Sequence, residues 1–570
     1  MKNIKKLTIG FIFIGVLVHL PFFQTLISEP LGSHNIVQVK ASGFWDLTGT
    51  PIFINGSATG VGAYNWSWFE NQPWYGGGDG NLNTPYIIEN ITIDGLGTGN
   101  CIEIVDSEEH FIIRNCTVYS AGSEASNAGI NFYNVTNGKV IDNQCSNNLR
   151  QGIILMLSDN NTIFDNIANF NDYYGIGVYS SHLNNISDNT IRNNEGRGID
   201  AIRSHYNKLL NNIISSNWGS GIYLSQCNHS TFSDNIINEN GWINGMNGIT
   251  AWGSSHNIYA SNIINYNLGS GIEFDTDMNN TFVDNEIVGN HIVGLYLRNT
   301  KDNFIANNSV EYNDWGVFFS QGDNNEIIEN SASYNTYEGI KLLNGCENNT
   351  ILSNDVNYNY ENGIDLDNNC DMNNLTSNSI NYNHLNGIYL RTSDNNNIIE
   401  NKLFGNNDSI YEVNCAGNIF IDNTFTIILK LFIDVRTQIF TSDAFNITFF
   451  FHNENDYGVS VDTLQMWWNG TDVSSSVQNL GGGEYFVSLT PITVLPGDPP
   501  IVLNMTIKVS GFEDKYFEID IAVDPESIDK EGNGEPEPEI PIISGYYSYL
   551  ILFSIFITAL FLIKKRKKQL

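Results

Sequence analysis

The sequence has little positive charge, and its charged residues are few altogether. Lysine and arginine number 26 against 62 aspartates and glutamates, so the formal net charge is −36, and charged residues make up only 15% of the 570 positions. Because nucleic-acid binding needs a surface rich in lysine and arginine, this balance argues against a nucleic-acid partner. Apolar residues make up 41% of the chain, a share that excludes a disordered polar protein.

The body of the chain also lacks the spacing of amphipathic helices and the dense leucine pattern of leucine-rich repeats. A glycine followed by an aliphatic residue recurs instead, at steps of 22 to 24 residues with one step of 27. A fixed period of this size predicts a solenoid. Side chains alternate in direction within a copy such as 221–224, which is the period of a strand. The glycines are Gly129, Gly152, Gly175, Gly198, Gly221, Gly248, Gly271, Gly294, Gly316, Gly339, Gly363 and Gly387.

Asparagine occupies two fixed places in each copy. One column lies fourteen residues after the glycine and runs from Asn143 to Asn330, and the other lies nineteen after it and runs from Asn148 to Asn335. Asparagine tolerates the left-handed backbone of a tight corner, and coils about 4.8 Å apart let identical amides bond to one another. Three short strands per coil, separated by such corners, predict a parallel β-helix.

The copies resemble those of a known family. The segment GIDLDNNCDMNNLTSNSINYNHLN (363–386) is similar to the right-handed parallel β-helix repeats of NosD-like and pectin-lyase-like proteins. The lead-in NTPYIIENITIDGLGTGNCIEIVDSEEHFIIRNCTVYSAG (83–122) resembles the first coils of NosD-like surface proteins. The resemblance implies an all-β, right-handed parallel β-helix over residues 81–425. It implies no single activity, because related proteins include lyases, hydrolases, epimerases and binding proteins.

Segments of other composition flank the repeat. Residues 43–80 are rich in tryptophan, glycine and asparagine, and we expect them to cap the open end of the β-helix. Residues 426–525 lose the period and alternate between turns, which predicts a small Ig-like β-sandwich. Residues 526–541 form a Pro/Glu linker.

Both ends of the chain carry membrane signals. Residues 1–30 hold three lysines before an apolar run, which is typical of a signal peptide or an N-terminal anchor. Residues 542–563 are apolar and long enough to span a bilayer, and the basic residues of 564–570 follow at once. We therefore expect a single-pass cell-surface protein with a cytoplasmic tail, from a prokaryote and, given the style of signal and anchor, an archaeon.

The residues two and four positions after each glycine are predicted to face outward from the strand that opens the coil. This face combines aromatic side chains with charged ones, a mixture that suits polysaccharides, because rings stack on sugar C–H faces and polar groups bond hydroxyls or uronic acids. The alternative is an ordinary solvated face in an acidic protein. The candidate ligand-binding residues are Tyr179, Asp200, Tyr223, Trp252, Tyr296 and Phe318.

Acidic residues in the copy at 271–293 are candidates for catalysis on this face. Glu273 and Asp275 are predicted to project the same way, about 7 Å apart, with Asp277 close by. Paired carboxylates can cleave glycosidic bonds, and Arg298 on the next coil could hold an anionic sugar. The chain has neither a Gly-His-Gly with a downstream Arg-x-Lys nor an Asp-Pro-His, the signatures that the resemblance would imply.

Four histidines form a second candidate. His182, His205, His229 and His256 fall seven or eight residues after their glycines on successive coils, where imidazoles could bind copper or zinc. NosD-like proteins are linked to copper handling, so the resemblance adds to this possibility. The alternative, which we favour, is that they are corner residues without a metal, and no cofactor is predicted.

The seven cysteines are odd in number, so at least one is unpaired in any set of internal bridges. Cys346 and Cys370 lie seven residues after their glycines on consecutive coils, which places their Cα atoms within disulfide range. A disulfide and a stacked pair of free thiols are both compatible with this spacing.

These observations predict a membrane-anchored surface β-helix that binds glycans or partner proteins without catalysis. The alternatives are a polysaccharide lyase or glycoside hydrolase that uses the side face, and a protein that handles copper.

Overall fold

The computed structural model describes residues 45–242, 245–425, 428–433, 445–452, 461, 463–490, 501–508 and 515–521. The predicted signal segment, linker, membrane span and basic tail lie outside these residues. Within the described ranges, no helix combines the length and apolarity needed to cross a membrane.

The described residues of 45–425 form a parallel β-helix, which confirms this part of the predicted fold. Sheet 1 contains the strands Ile52–Asn55, Ile102–Ser107, Ala128–Val135, Gln151–Met156, Ile176–Tyr179, Ile199–Ile202, Ile222–Ser225, Ile249–Trp252, Ile272–Asp275, Val293–Arg298, Trp315–Ser320, Ile340–Leu343, Ile364–Asp367, Asn386–Arg391 and Asp408–Val413. Sheet 2 contains Tyr86–Glu89, Phe111–Arg114, Gly138–Ile141, Thr162–Phe164, Asn185–Ser187, Lys208–Leu210, Thr231–Ser233, Ile258–Ala260, Thr281–Val283, Phe304–Ala306, Glu326–Ile328, Thr350–Leu352, Asn374–Thr376, Asn397–Ile399 and Ile419–Ile421.

The third face of each coil is less regular than the sequence predicts. Its strands are two to four residues long, and on several coils they shrink to single bridges such as those made by Ile167 and Ser331. These strands are Trp45–Asp46, Ile91–Asp94, Thr117–Tyr119, Gln144–Cys145, Thr190–Arg192, Ile213–Ser215, Ile236–Asn238, Glu286–Val288, Ser309–Glu311, Lys402–Leu403 and Thr424–Phe425. We call this face sheet 3.

The core is a column of aliphatic and aromatic side chains contributed by all three faces. On one coil these are Ile222 and Leu224 from sheet 1, Phe232 from sheet 2 and Ile237 from sheet 3, all almost completely buried. Burial of one such side chain contributes about 1.5–3 kcal/mol, but a single coil buries it only against its neighbours.

The asparagine columns form hydrogen-bonded ladders, as predicted. In the first column, the Asn166 amide donates to Asn189 Oδ1 at 3.0 Å, and in the second, the Asn171 amide donates to Asn194 Oδ1 at 3.0 Å. A third ladder, nine residues after the glycine, escaped the sequence analysis. It begins at Asn161, whose backbone N–H donates to Asn184 Oδ1 at 2.8 Å.

The predicted reason for these asparagines is partly wrong. The residue with the left-handed backbone is the one before the ladder asparagine: Asp188 and Asn193 have φ of 58° and 54° where Asn189 and Asn194 follow. The ladder asparagine points inward and bonds the next coil, so the turn is made one position earlier.

The repeated glycine permits close contact between coils. A Cβ on Gly271 would lie 2.7 Å from the Gly294 carbonyl oxygen and 2.9 Å from the Asn290 amide nitrogen. Both atoms belong to the scaffold, so a side chain here would push neighbouring coils apart.

Aromatic residues close the N-terminal end. The short helix Trp66–Phe69 places Trp66 parallel to Tyr86, with ring centroids 4.6 Å apart, and the Trp66 indole donates to Ser107 Oγ at 2.9 Å. The β-helix nevertheless begins earlier than residue 81, because Ile52–Asn55 is the first strand of sheet 1.

Two four-stranded antiparallel sheets follow the β-helix in sequence. One has the order Ile428–Ile433, Phe445–His452, Glu484–Leu489 and Gln478–Gly481, and the other has the order Thr471–Asp472, Thr463–Trp468, Ile501–Lys508 and Lys515–Ile521. A 3₁₀ turn, Ser474–Ser476, lies between them in the chain.

Candidate functional site

The outward residues of sheet 1 form two vertical columns, as the spacing predicts. Strand register aligns Asp200 with Tyr223, Glu273 with Tyr296, and Tyr296 with Phe318 in the first column. In the second column, Trp252 aligns with Asp275 and Asp275 with Arg298. The predicted ligand-binding and catalytic residues therefore share one surface, which we call the outer face of sheet 1.

The predicted catalytic acids are engaged with neighbours. Asp275 accepts from Arg298 at 2.6 Å and from the Asn299 amide at 2.9 Å. Glu273 accepts from the Asn247 amide at 2.7 Å. Arg298 is thus paired with the acid next to it, and each carboxylate has hydrogen-bond donors from neighbouring side chains.

Asp277 does not share this face. Its side chain is fully buried inside the β-helix, where it accepts from the Ser254 backbone N–H in the place that serine occupies on other coils. Burial away from water raises the pKa of Asp277 to about 7. The sequence pattern missed this because the chain turns inward two residues after Asp275.

A stack of arginines and tyrosines lies over the N-terminal part of the outer face. The Arg150 guanidinium lies 3.7 Å above the Tyr173 ring, Tyr173 stacks on Tyr174 at 3.7 Å, and Arg197 lies 3.4 Å above the Tyr223 ring. Tyr174 also donates to the Tyr173 hydroxyl at 2.7 Å. We call these five residues the Arg–Tyr stack.

Two predicted ligand-binding residues, Asp200 and Tyr179, contact the Arg–Tyr stack or each other instead of facing solvent. Asp200 is only 2% exposed, pairs with Arg197 at 2.5 Å and accepts from the Tyr179 hydroxyl at 3.0 Å. Burial raises the pKa of Asp200, and burial together with the nearby Asp200 charge raises that of Tyr179. These two side chains position others, and Tyr223 has one ring face covered by Arg197.

The other three predicted ligand-binding residues are more accessible. The Trp252 side chain is 49% exposed on its strand. Tyr296 and Phe318 are half-buried, and their ring centroids are 5.1 Å apart. Trp315 extends this aromatic surface, since it lies 6.3 Å from Phe318 and stacks on Tyr337 at 4.3 Å.

A buried acid–lysine cluster lies on the same face: the strand pattern places Lys341 and Asp365 there, but it misses Glu338. Glu338 and Asp365 are each 3% exposed, and Lys341 contacts both, at 2.6 Å and 3.2 Å. Burial and the neighbouring Glu338 raise the pKa of Asp365 to about 7, whereas the Asp365 hydrogen bond and the Lys341 charge outweigh burial and lower that of Glu338. Of the two acids, Asp365 is therefore the one whose protonated form the site favours.

The missed residues share a sequence position. Each of them stands directly before the repeated glycine of its coil. They are Gln151, Arg197, Asn247, Trp315 and Glu338. Side chains at this corner fold back over the outer face, as Arg197 does toward Asp200. The alternation of side chains within a strand does not predict these corner side chains that cover the outer face.

The four histidines lie close together on successive coils but in two neighbouring columns, so they form two stacked pairs and not one stack of four. His182 and His205 stack at 5.0 Å, and His229 and His256 at 4.8 Å. His182 Nδ1 accepts from the His205 backbone N–H at 3.0 Å, and His205 Nδ1 accepts from Asn228 N–H at 3.1 Å. Their remaining proton is therefore on Nε2, and neither nitrogen of these two rings is free for a metal.

Cys346 and Cys370 lie on consecutive coils, as predicted, and both are free thiols that contact each other. The hydrogen bond from Cys370 lowers the pKa of Cys346. The disulfide between them stays a prediction.

The stacked coils and their inward asparagine ladders define a parallel β-helix protein. Two matches to the model of a family described as NosD, periplasmic copper-binding protein, cover residues 79–242 and 233–363. Together they span half of the 570 residues, and the chain belongs to the NosD family. None of the curated proteins matches the chain.

Several solved structures are similar to the chain. They include the periplasmic alginate epimerase AlgG (13% identity, 65% of this chain and 83% of that chain, TM-score 0.30) and the A-module of the Azotobacter vinelandii mannuronan C-5 epimerase AlgE6 (12%, 59% and 88%, 0.31). A third is tailspike protein 3 of bacteriophage CBA120 (10%, 65% and 64%, 0.25).

The copper named in the family's description does not fit the histidines of this chain. Rings stacked face to face about 5 Å apart do not converge on one ion, which needs nitrogens about 2.0–2.1 Å from it. The described residues contain no group of three or more histidine, cysteine or acidic side chains placed to hold a metal.

Proposed function

We propose that the chain is a glycan-binding β-helix whose body lies outside the cell, tethered through residues 542–563. It binds along the outer face of sheet 1 and carries out no chemistry on the bound chain. The observation that carries this proposal is the aromatic surface formed by exposed Trp252 and by half-buried Tyr296, Phe318 and Trp315, held among charged and amide groups on adjoining coils.

This arrangement suits an extended sugar chain. Aromatic rings offer flat apolar surfaces to the C–H faces of sugars, while amides and carboxylates near their edges bond hydroxyl groups. Strands in neighbouring coils are about 4.8 Å apart, so successive side chains form a regular lane along the solenoid. A protein partner with a similar apolar and polar surface would use the same lane.

Binding without turnover is favoured over catalysis. Asp275 is paired with Arg298, and Glu273 is bonded to Asn247, so neither is poised to move a proton or attack a sugar carbon. The lyase or hydrolase alternative predicts unsaturated products or new reducing ends when the protein meets acidic or neutral polysaccharides. Such products, abolished by Glu273→Gln or Asp275→Asn, would replace our proposal.

The binding test compares two exposed tryptophans. Trp252 lies on the outer face of sheet 1, whereas Trp242, 64% exposed, lies at a corner. We expect Trp252→Ala to weaken polysaccharide binding about tenfold, equivalent to ~1.4 kcal/mol, and Trp242→Ala to leave it unchanged. Calorimetry on the detergent-solubilised full-length protein measures both. Equal loss in the two variants, or no binding to any polysaccharide, would refute the proposal.

A further inference from the structure

One tripeptide pattern recurs at three corners that border sheet 2. It is NNT at 279–281, NNS at 307–309 and NNT at 348–350. Asn-x-Ser/Thr, which we call a sequon, is the acceptor pattern for N-linked sugars in secreted proteins. Sequons arise by chance in a chain so rich in asparagine, so the geometry of each one decides whether it can be modified.

In each of these sequons the first asparagine lies on the surface and the second lies inside. Asn279, Asn307 and Asn348 are exposed and have a left-handed backbone, with φ of 55°, 54° and 56°. The asparagine that follows each of them is a buried ladder residue, as where the Asn280 backbone N–H donates to Asn303 Oδ1 at 2.9 Å. Because the ladder residue is fixed inside the coil, the asparagine before it is held at the surface.

The amide nitrogens that would carry the sugar have no protein partner. Among the residues that the structure describes, none hydrogen-bonds the side-chain amide of Asn279, Asn307 or Asn348. The sequon at 65–67 is different, because half-buried Asn65 caps the short N-terminal helix. Its amide nitrogen donates to the Ala58 carbonyl at 2.9 Å, and its Oδ1 accepts from the Trp68 N–H at 3.0 Å. Asn65 is therefore a sequon that the fold already uses.

The scaffold does not require the sequon at these corners. His256 and Met372 hold the same left-handed position on other coils, with φ of 61° and 57°. Ile258 and Glu326 stand where Thr281 stands, at the first position of a sheet 2 strand. A coil folds without either member of the pattern, so folding alone does not account for their occurrence together.

Sequons are absent from the outer face of sheet 1 over most of its length. No sequon asparagine lies in the sheet 1 strands from Gln151–Met156 through Asn386–Arg391. These strands carry Trp252, Tyr296 and Phe318, the aromatic residues of the proposed binding surface. Sugars attached at the three corners stand beside this surface and not on it.

We propose that Asn279, Asn307 and Asn348 carry N-linked oligosaccharides. The donor is a lipid-linked oligosaccharide, used by a membrane-bound transferase. The asparagine Nδ2 forms a bond to C1 of the first sugar and loses a proton, while the bond from C1 to the lipid phosphate oxygen breaks and the lipid phosphate leaves with the electron pair. The inference rests on the proposed function, because it needs the body of the chain to lie outside the cell.

The test uses the full-length protein purified from the membranes of the cells that naturally make it. Tandem mass spectrometry compares each sequon peptide before and after chemical deglycosylation. We expect the peptides with Asn279, Asn307 and Asn348 to carry sugar-sized mass increments that deglycosylation removes, and the peptide with Asn65 to have the mass of its sequence. A position found without sugar is refuted, and equal modification of Asn65 refutes the argument that corner geometry selects the sites.

A matched pair of variants, made in the same cells, tests the assignment at one corner. Thr281→Ser keeps the sequon and should retain the sugar on Asn279. Thr281→Val removes the hydroxyl but keeps a β-branched residue at the start of the strand, so it should lose this sugar and fold normally. Asn307 and Asn348 should stay modified in both variants, and the melting temperature confirms folding. Loss of sugar from Asn279 in both variants, or in neither, contradicts the proposal.

Two further measurements separate this inference from the proposed function. A membrane-impermeant lysine reagent applied to intact cells labels the body of the chain only if it lies outside, and calorimetry measures polysaccharide binding. If the body is labelled and polysaccharide binds while the three asparagines carry no sugar, only the inference fails. If the body is not labelled, the location in the proposed function fails and the inference fails with it.

Discussion

Asp277 predicts a pH-dependent weakness in the middle of the solenoid. It occupies an interior position at which Ser158, Ser181, Ser204 and Ser254 stand on other coils, and its second carboxyl oxygen has no partner. The Tyr259 and Thr300 hydroxyls are also buried without partners. A carboxylate at this place is costly, because burial disfavours its charged form.

The size of the effect follows from the pKa. The folded-state pKa of Asp277 is about 7 against an ordinary 3.8, so at 1.36 kcal/mol per pH unit the difference amounts to about 4 kcal/mol. Because the folded-state pKa is raised, the contribution to stability is fully present below pH 3.8. It declines as pH rises and is lost above about pH 7.

Urea unfolding followed by circular dichroism between pH 4 and 8.5 measures this. Asp277→Asn should remove most of that loss and be more stable than wild type at pH 8 by up to ~4 kcal/mol. Asp284→Asn, an exposed change on the same coil, should follow the wild-type curve. The reasoning is refuted if Asp277→Asn keeps the wild-type pH dependence or is the less stable protein at pH 8.

Three further predictions test the scaffold and the corners. Asn262→Ala removes bonds to Phe232 O and Asn285 Oδ1, both 2.9 Å, and should lower the free energy of unfolding by about 2–4 kcal/mol, whereas Asn185→Ala should cost less than about 1 kcal/mol in the same urea experiment. Titration with copper or zinc should show no histidine-dependent binding tighter than micromolar by calorimetry, and a tight signal lost on mutation of the four histidines would contradict the geometry. Mass spectrometry without reduction should show either a Cys346–Cys370 bridge or an alkylated Cys346, and the second result rules the bridge out.

The fold was predictable because every coil has the same two packing and hydrogen-bonding requirements. A small residue is needed where Gly271 meets Asn290 and the Gly294 carbonyl, and an inward amide is needed to satisfy buried backbone groups of the next coil. Repetition makes both requirements visible as columns. The third ladder was less visible, because Ser230 interrupts it with a hydroxyl that bonds the Asn207 N–H at 3.1 Å in the same way.

The candidate site was predictable only in outline. Strand alternation gives the outward direction of Glu273 and Trp252, but not the partners that come from the corner just before a strand of sheet 1. Asn247 reaches Glu273 from such a corner, and Glu338 reaches Lys341 in the same way. These contacts depend on how each irregular corner folds over the sheet, and that is not repeated from coil to coil.

The division between ladder and face also explains where function can reside. The asparagine ladders bond coil to coil inside the corners, with contacts such as Asn166 to Asn189 at 3.0 Å, so the outward positions of sheet 1 are not needed to hold the coils together. The outer face can therefore vary among Gly177, Tyr223 and Lys341 within one column without loss of register.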